Sequence, residues 1–131
     1  MRLRRTLATA ALSGTLALGA TAVPAQASAS KAAFEYVLST TNGSATVYVH
    51  RDAGGGWSVC DDDSDGMRAM AEVRYNGQVL RLQTTSGYGS CSSDVNLYPS
   101  PVYGATISVK VWVQDGANGT PRFPNNGTYR W

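Results

Sequence analysis

The chain has 131 residues, 11 Lys or Arg, 9 Asp or Glu and a formal charge of +2, which suits a single domain of ordinary size. Three of the arginines lie within the first five residues, and without them the acids outnumber the cations by one. The remaining cations are spread along the sequence without a basic stripe, so we expect no nucleic-acid partner.

Residues 1–27 are predicted to be a signal peptide that is removed on export. Residues 1–5 are basic, residues 6–22 are rich in Ala and Leu, and Ala25-Gln26-Ala27 is a small-x-small cleavage site, with Ala29 as the alternative end. Small polar residues dilute the apolar run below a spanning helix, and no second hydrophobic stretch follows. We therefore expect a secreted, extracellular protein without membrane insertion after cleavage.

The mature chain is predicted to be one small domain held by one disulfide. Residues 28–33 form a flexible linker of mostly small residues, and residues 34–131 form the domain. Two cysteines in an exported chain of this size, Cys60 and Cys91, predict a disulfide bond. The alternative, a reactive or metal-binding thiol pair, lacks both a Cys-x-x-Cys motif and a histidine cluster. We expect the domain to be a monomer.

Short alternating stretches between turn residues predict an all-β fold. The predicted strands are residues 34–40, 45–51, 57–60, 69–75, 78–83, 92–97, 105–113 and 128–131, and residues 114–127 are predicted to be a long polar loop. About seven short strands at regular spacing, with four Asn-Gly turn signals, favour a small antiparallel β-sandwich. The alternative is a small β-barrel.

The clearest local element is a β-hairpin around Asn76-Gly77. Two alternating runs flank this pair, which accepts the positive φ angles of a two-residue type I′ turn. That turn sets the register, so Val73 is predicted to face Leu80 on a buried apolar side. On the other side Glu72 faces Arg81, and we expect both to meet solvent.

An acidic run gives the one metal hypothesis. Asp61, Asp63 and Asp65, followed by Gly66 and then Glu72 at the twelfth position, fit the ligand pattern of an EF-hand loop. The flanks are predicted strands rather than helices, and Glu72 is assigned to the hairpin. The surviving alternatives are a Ca²⁺ loop that uses the three aspartates and a solvated acidic turn, which we favour. No other cofactor is expected.

Aromatic residues give a second binding hypothesis. Trp112, Tyr48 and Trp57, together with Tyr88, are candidates for a platform that stacks on sugar rings. The alternative is that Trp57 belongs to the core and that Trp112 packs beneath the loop of residues 114–127, because large amphipathic aromatics are usually partly buried.

The sequence does not indicate an enzyme. His50, the only histidine, is predicted to lie on the outward face of its strand beside Tyr48, and no Gly-x-Ser-x-Gly motif accompanies it. Aspartates crowded into one loop are poorly placed to face each other across a cleft, as glycosidase carboxylates do. Residues 120–124 offer a further alternative, the exposed basic and aromatic loop of an extracellular protease inhibitor.

The layout resembles a group of small secreted β-rich proteins of unknown function from high-GC Gram-positive, actinobacterial species. The matching stretches are Val59-Cys60-Asp61 through Asp65-Gly66, residues 68–75, Gly87-Tyr88-Gly89-Ser90-Cys91, residues 107–113 and Trp131. Unlike some members of that group, this chain has no additional cysteine pair near its C-terminus. The resemblance implies an exported β-domain and no catalytic residues. We therefore expect a non-enzymatic module that binds a glycan or an extracellular protein at or near the cell envelope.

Overall fold

The computed structural model describes residues 34–51 and 55–131, and these ranges form eight β-strands. In chain order they are β1 (Phe34–Ser39), β2 (Ala45–His50), β3 (Gly56–Asp61), β4 (Arg68–Tyr75), β5 (Gln78–Gln83), β6 (Val95–Asn96), β7 (Thr106–Gln114) and β8 (Arg122–Arg130). The described ranges contain no helix that is long and apolar enough to cross a membrane. The predicted signal peptide and linker, residues 1–33, lie outside the described residues.

Two antiparallel four-stranded sheets confirm the predicted all-β sandwich. Sheet A has the strand order β1-β2-β3-β6, and sheet B has the order β5-β4-β7-β8. Across the interior, β1 lies against β8, β2 against β7 and β3 against β4. Within the described residues no strand ladder joins the two sheets, so they do not close into the alternative barrel.

The inner faces of the sheets form one core dominated by valine. Alternate residues along each strand point inward, as expected for sheets that each bury one side. The buried residues include Val47, Val49, Trp57, Val59, Ala71, Val73, Leu82, Ile107, Val109, Val111 and Val113. Fully burying an aliphatic side chain of this size contributes about 1.5–3 kcal/mol, so this valine-rich core is the main stabilising feature of the sandwich.

The hairpin of β4 and β5 has the predicted register. Val73 pairs with Leu80 and Glu72 pairs with Arg81 across the Asn76-Gly77 turn, where both turn residues have positive φ. Two burial predictions are wrong. Leu80 is only half-buried because β5 is the edge strand of sheet B, and Glu72 is only 9% exposed because arginine side chains cover it.

The last strand corrects the predicted loop of residues 114–127. β8 begins at Arg122, so Asn126-Gly127 lies within a strand, where Gly127 pairs with Val109, and does not form a turn. A side chain at Gly127 would press on Leu38 of β1, with its Cβ 3.3 Å from a Leu38 methyl carbon. Gly127 therefore allows the edge strands β8 and β1 to pack closely against each other. Pro124 is tolerated because β8 is itself an edge strand.

The predicted disulfide is present and extends sheet A beyond its last short strand. Cys60 of β3 is bonded to Cys91, and the two residues also form an isolated antiparallel bridge. Backbone hydrogen bonds flank the bond: Asp61 N–H donates to Ser90 O at 2.8 Å, and Ser92 N–H donates to Val59 O at 2.8 Å. The segment before β6 is thus fixed along the edge of β3. A disulfide is compatible with an extracellular location.

An aromatic cluster holds the C-terminus against the sandwich. The Trp57 and Tyr129 rings meet edge to face with centroids 5.6 Å apart, and Trp131 stacks on Trp57 at 6.4 Å. The Arg51 Nε donates to the Tyr129 hydroxyl at 2.7 Å, and that hydroxyl donates to Glu35 Oε2 at 2.7 Å. Burial, together with the hydrogen bond to Glu35, raises the pKa of Tyr129 despite the nearby Arg51. The last residues are therefore part of the fold.

Candidate functional site

The two sheets differ sharply in charge. The strands of sheet B carry six Lys or Arg and a single acid, Glu72, whereas the strands of sheet A carry two acids and no Lys or Arg. Strand pairing places five of these cations on the outer surface of sheet B, where Lys110 and Arg81 both lie opposite Glu72. We call this surface the cationic face; its residues are Arg68, Arg74, Arg81, Lys110 and Arg130.

The cationic face corrects the expectation that the chain has no basic stripe. Successive cations are far apart in sequence, but each has the strand parity that points to the same side of the sheet. Arg74 and Arg68 share the parity of Glu72 on β4, and Arg130 pairs with Thr106, which has the parity of Lys110 on β7. The order of charges along the sequence does not reveal this cluster, because it is the pairing of the strands that brings these distant residues together.

Glu72 is the buried centre of this face. Arg81 Nε donates to Glu72 Oε2 at 3.3 Å, and Arg74 donates to Oε1 from its own strand. Burial alone raises the pKa of Glu72, but the hydrogen bonds and positive charges of Arg74 and Arg81 outweigh it, so the net pKa lies below the usual range. Glu72 therefore stays ionised at neutral pH and holds both guanidinium groups in place.

Two shallow depressions lie on the cationic face. The larger, of about 350 Å³, crosses β4, β7 and β8 and is lined by Glu72, Arg74, Ser108, Val109, Lys110, Asn126 and Gly127. The smaller, of about 190 Å³, lies over β4 and β5 and is lined by Met70, Arg81, Leu82 and Gln83. Together they extend across all four strands of sheet B. Hydroxyl, amide, carboxylate and cationic groups line them, which supplies both hydrogen-bond donors and acceptors.

Trp112 adds an aromatic ring to this face. It is half-buried and lies at an irregularity in the pairing of β7 with β8, which falls between Val111 and Val113. The ammonium of Lys110 lies 5.4 Å from the indole centroid, and Trp112 Nε1 donates to Gln114 Oε1 at 2.7 Å. Trp112 thus lies beside Lys110, and Gln114, which accepts its hydrogen bond, donates in turn to the carbonyl groups of Gly116 and Ala117 after β7.

The predicted aromatic platform does not assemble. Trp57 is fully buried in the core, because its side chain lies on the inward-facing side of β3. Tyr48 lies on sheet A and Trp112 on the outer face of sheet B, so the three predicted residues occupy three different environments. Tyr88 is exposed in the segment before Cys91. Of the three predicted residues, Trp112 alone lies beside the cationic face.

The acidic run is organised by its own hydrogen bonds. Asp61 is 1% exposed, and its Oδ1 accepts the N–H of Asp63, while Asp65 Oδ1 accepts the N–H of Met67. Glu72 stays with Arg81, as expected, and does not join the aspartates. Between 34–51 and 55–131, no three His, Cys, Asp or Glu residues form a group that could hold a metal ion. Burial, together with the neighbouring aspartates, raises the pKa of Asp61.

Two further expectations change with the fold. His50 was predicted at the surface but is 4% exposed, with Nε2 3.4 Å from Asp94 Oδ1, because the facing residue, Gly56, leaves room for Asp94 to approach. Residues 120–124 are not a loop throughout, since the Arg122–Pro124 portion belongs to β8 and Phe123 O accepts the N–H of Thr41.

Comparison with protein-family models, curated proteins and solved structures finds no match to this chain.

Proposed function

We propose that the protein is an extracellular, non-enzymatic binding domain that holds an acidic glycan chain across the cationic face. The observation that carries this proposal is the concentration of five cations around one acid on an exposed sheet surface. Glu72 is neutralised by Arg74 and Arg81, so the face retains an excess of positive charge. A surface of this kind attracts polyanions and raises their association rate.

The groups on the face suit a uronate polymer. Arginine forms paired hydrogen bonds with carboxylates, and Arg74 and Arg81 are both exposed, at 59% and 75% of their side chains. Ser108 and Asn126 line the larger depression and offer partners for sugar hydroxyls. Trp112 supplies an apolar ring beside Lys110 for the face of a pyranose. The depressions follow one another across the sheet, as a chain-like ligand requires.

The proposal agrees with the expected role near the cell envelope. The predicted signal peptide and the disulfide both suit an extracellular location. A Ca²⁺ loop is less favoured, because Asp61 and Asp65 each accept an Asx-type hydrogen bond from a nearby backbone N–H.

The experiment is a calorimetric titration with three polymers of similar length: a polyuronate, a neutral glucan and polyglutamate. We expect the polyuronate to bind more tightly than both others, and its affinity to fall as salt rises because exposed charges are screened. Equal binding of the glucan would overturn the electrostatic basis of the proposal. Equal binding of polyglutamate would show that charge alone is recognised and would overturn the glycan assignment.

Variants that each remove one positive charge test where the glycan binds. Arg81→Gln and Lys110→Gln each remove one cation from the face and should weaken polyuronate binding about threefold to tenfold. Arg122→Gln is the control, since Arg122 is exposed at the start of β8 but is not part of the cationic face. An equal loss in Arg122→Gln would contradict a localised site.

A further inference from the structure

One line of residues that runs across all the strands of sheet B alternates in charge. Strand pairing sets Arg81 of β5 opposite Glu72 of β4, Glu72 opposite Lys110 of β7, and Lys110 opposite Asn126 of β8. All of them share the outward parity of their strands, so their side chains leave the same surface. We call these residues the transverse row. Its neighbouring members are separated by one interstrand spacing, about 4.8 Å.

The β4 position of the transverse row carries no net charge. The Glu72 side chain is only 11% exposed, and Arg74 binds its Oε1 through both Nε and Nη2. The negative charge of Glu72 therefore offsets the positive charge of Arg74, which lies two residues further along the same strand. A hydroxyl group can donate to a carboxylate at this position, whereas a ligand carboxylate would meet a like charge.

The positions on either side of Glu72 keep an available positive charge. Arg81 meets Glu72 through Nε at 3.3 Å, and its side chain is 75% exposed, so its terminal N–H groups face solvent. Lys110 takes part in none of the ion pairs of the described residues, and its ammonium lies 5.4 Å from the Trp112 ring centroid. Asn126, the last member, is an exposed uncharged amide. The row thus presents a cation, a neutral pair, a cation and a neutral amide in succession.

The neighbouring lines of residues on this surface do not repeat the pattern. On one side the paired outward residues include a single cation, and they are Val79, Arg74, Ser108 and Thr128. On the other side they include none, and they are Gln83, Met70 and Trp112. Two available cations separated by one neutral position therefore occur together in the transverse row.

We infer that the transverse row selects an acidic glycan in which uronate residues alternate with uncharged residues, with the uronates over Arg81 and Lys110. The inference rests on the proposed function and specifies its ligand. A pyranose residue in an extended chain spans about one interstrand spacing, so successive sugars of a chain that crosses the sheet fall on successive strands. The uncharged sugars then lie over Glu72 and Asn126. Glu72 determines specificity, because a polymer with a carboxylate on every residue places one of them against it.

The test is a calorimetric titration with three oligosaccharides of equal length. One alternates glucuronate with N-acetylglucosamine, one is an oligoglucuronate, and one is a neutral glucan. Charge density alone favours the oligoglucuronate, which has twice as many carboxylates. We expect the opposite order, with the alternating chain binding at least about threefold more tightly than the oligoglucuronate.

Two variants should reduce this preference. Glu72→Gln removes the like charge at the β4 position, and Asn126→Lys adds a cation at an exposed position on β8. Each should lower the ratio of the two affinities at least about threefold, because one more position of the row then accepts a carboxylate. Ser93→Lys is the control, since it adds the same charge at an exposed residue between Cys91 and β6, beside sheet A. It should leave the ratio unchanged.

The outcomes separate this inference from the proposed function. Equal or tighter binding of the oligoglucuronate by wild type would overturn the inference and leave the acidic-glycan proposal standing. Binding of both acidic chains no tighter than the neutral glucan would overturn both. An unchanged ratio in Asn126→Lys or in folded Glu72→Gln, or an equal change in Ser93→Lys, would show that the transverse row does not select the ligand and would also overturn the inference.

Discussion

Glu72 and Arg81 form an ion pair across the β4–β5 hairpin, with Arg81 Nε 3.3 Å from Glu72 Oε2. The carboxylate is nearly buried, whereas the guanidinium group is largely exposed. The nearly buried carboxylate of Glu72 therefore fixes the orientation of the solvent-exposed guanidinium group of Arg81. This arrangement connects the stability of sheet B to the geometry of the cationic face.

Glu72→Gln should destabilise the domain at neutral pH by about 1–2 kcal/mol, because an amide replaces a carboxylate between two guanidinium groups. The folded-state pKa of Glu72 is lowered, so its contribution is present above its unfolded value and is lost as pH falls through the folded value. Melting curves from pH 7 to pH 3 should show wild type and variant converging in acid. Asp115→Asn, which alters an exposed acid, is the control and should change little.

Asp61→Asn should have the opposite pH signature. Burial raises the folded-state pKa of Asp61, so the charged form costs stability at neutral pH, and this cost is relieved as pH falls toward the unfolded value. The variant should therefore melt higher than wild type at pH 7, and the difference should narrow as the pH approaches 4. A difference that widens in acid would show that the ionised carboxylate stabilises the loop.

Gly55→Ala should perturb the C-terminal aromatic cluster. Gly55 has φ +85, and a methyl group there would overlap the Trp131 indole. Gly43→Ala is a matched control, because Gly43 also has positive φ, at +76, but nothing lies within 4 Å of its added carbon. Both should lose about 1–2 kcal/mol from left-handed backbone strain. Only Gly55→Ala should lose more unfolding free energy than this strain accounts for, as measured by denaturant unfolding. It alone should also alter the near-ultraviolet circular dichroism of tryptophan.

Removal of the disulfide should cost about 3–4 kcal/mol of unfolding free energy on the chain-entropy model, since the bond closes a loop with a sequence separation of 31. Cys60→Ala with Cys91→Ala and chemically reduced wild type should unfold at similar denaturant concentrations. Alkylation of the native protein under non-reducing conditions should label no thiol. Two labelled cysteines would contradict the assigned bond.

Local signals in the sequence predicted local structure. The Asn76-Gly77 turn determined the hairpin register because both partners lie within a few residues of it. The same Asn-Gly signal failed at Asn126-Gly127, where pairing with β7 and packing against Leu38 hold the segment in a strand. Tertiary packing overrides a turn preference when the glycine is needed for close approach.

The candidate site depended on contacts that no local pattern reveals. Lys110 reaches Glu72 only because β7 pairs with β4, so the cationic face follows from a long-range register. The aromatic prediction combined Trp112, which is half-buried on the outer face of sheet B, with Trp57, which is buried because its side chain lies on the inward-facing side of β3. Combining strand parity with cation positions would have identified the face, provided that the strand order was known.

Backbone amide NMR during titration with a uronate oligosaccharide tests most directly whether the outer face of sheet B binds an acidic glycan. We expect the shifted amides to concentrate on β4, β7 and β8, around Glu72, Ser108, Lys110 and Asn126, with the Trp112 indole signal moving at the same ligand concentrations. The amides of sheet A should remain unchanged. Shifts that concentrate on sheet A or the acidic run, or no shifts at millimolar ligand, would contradict the account.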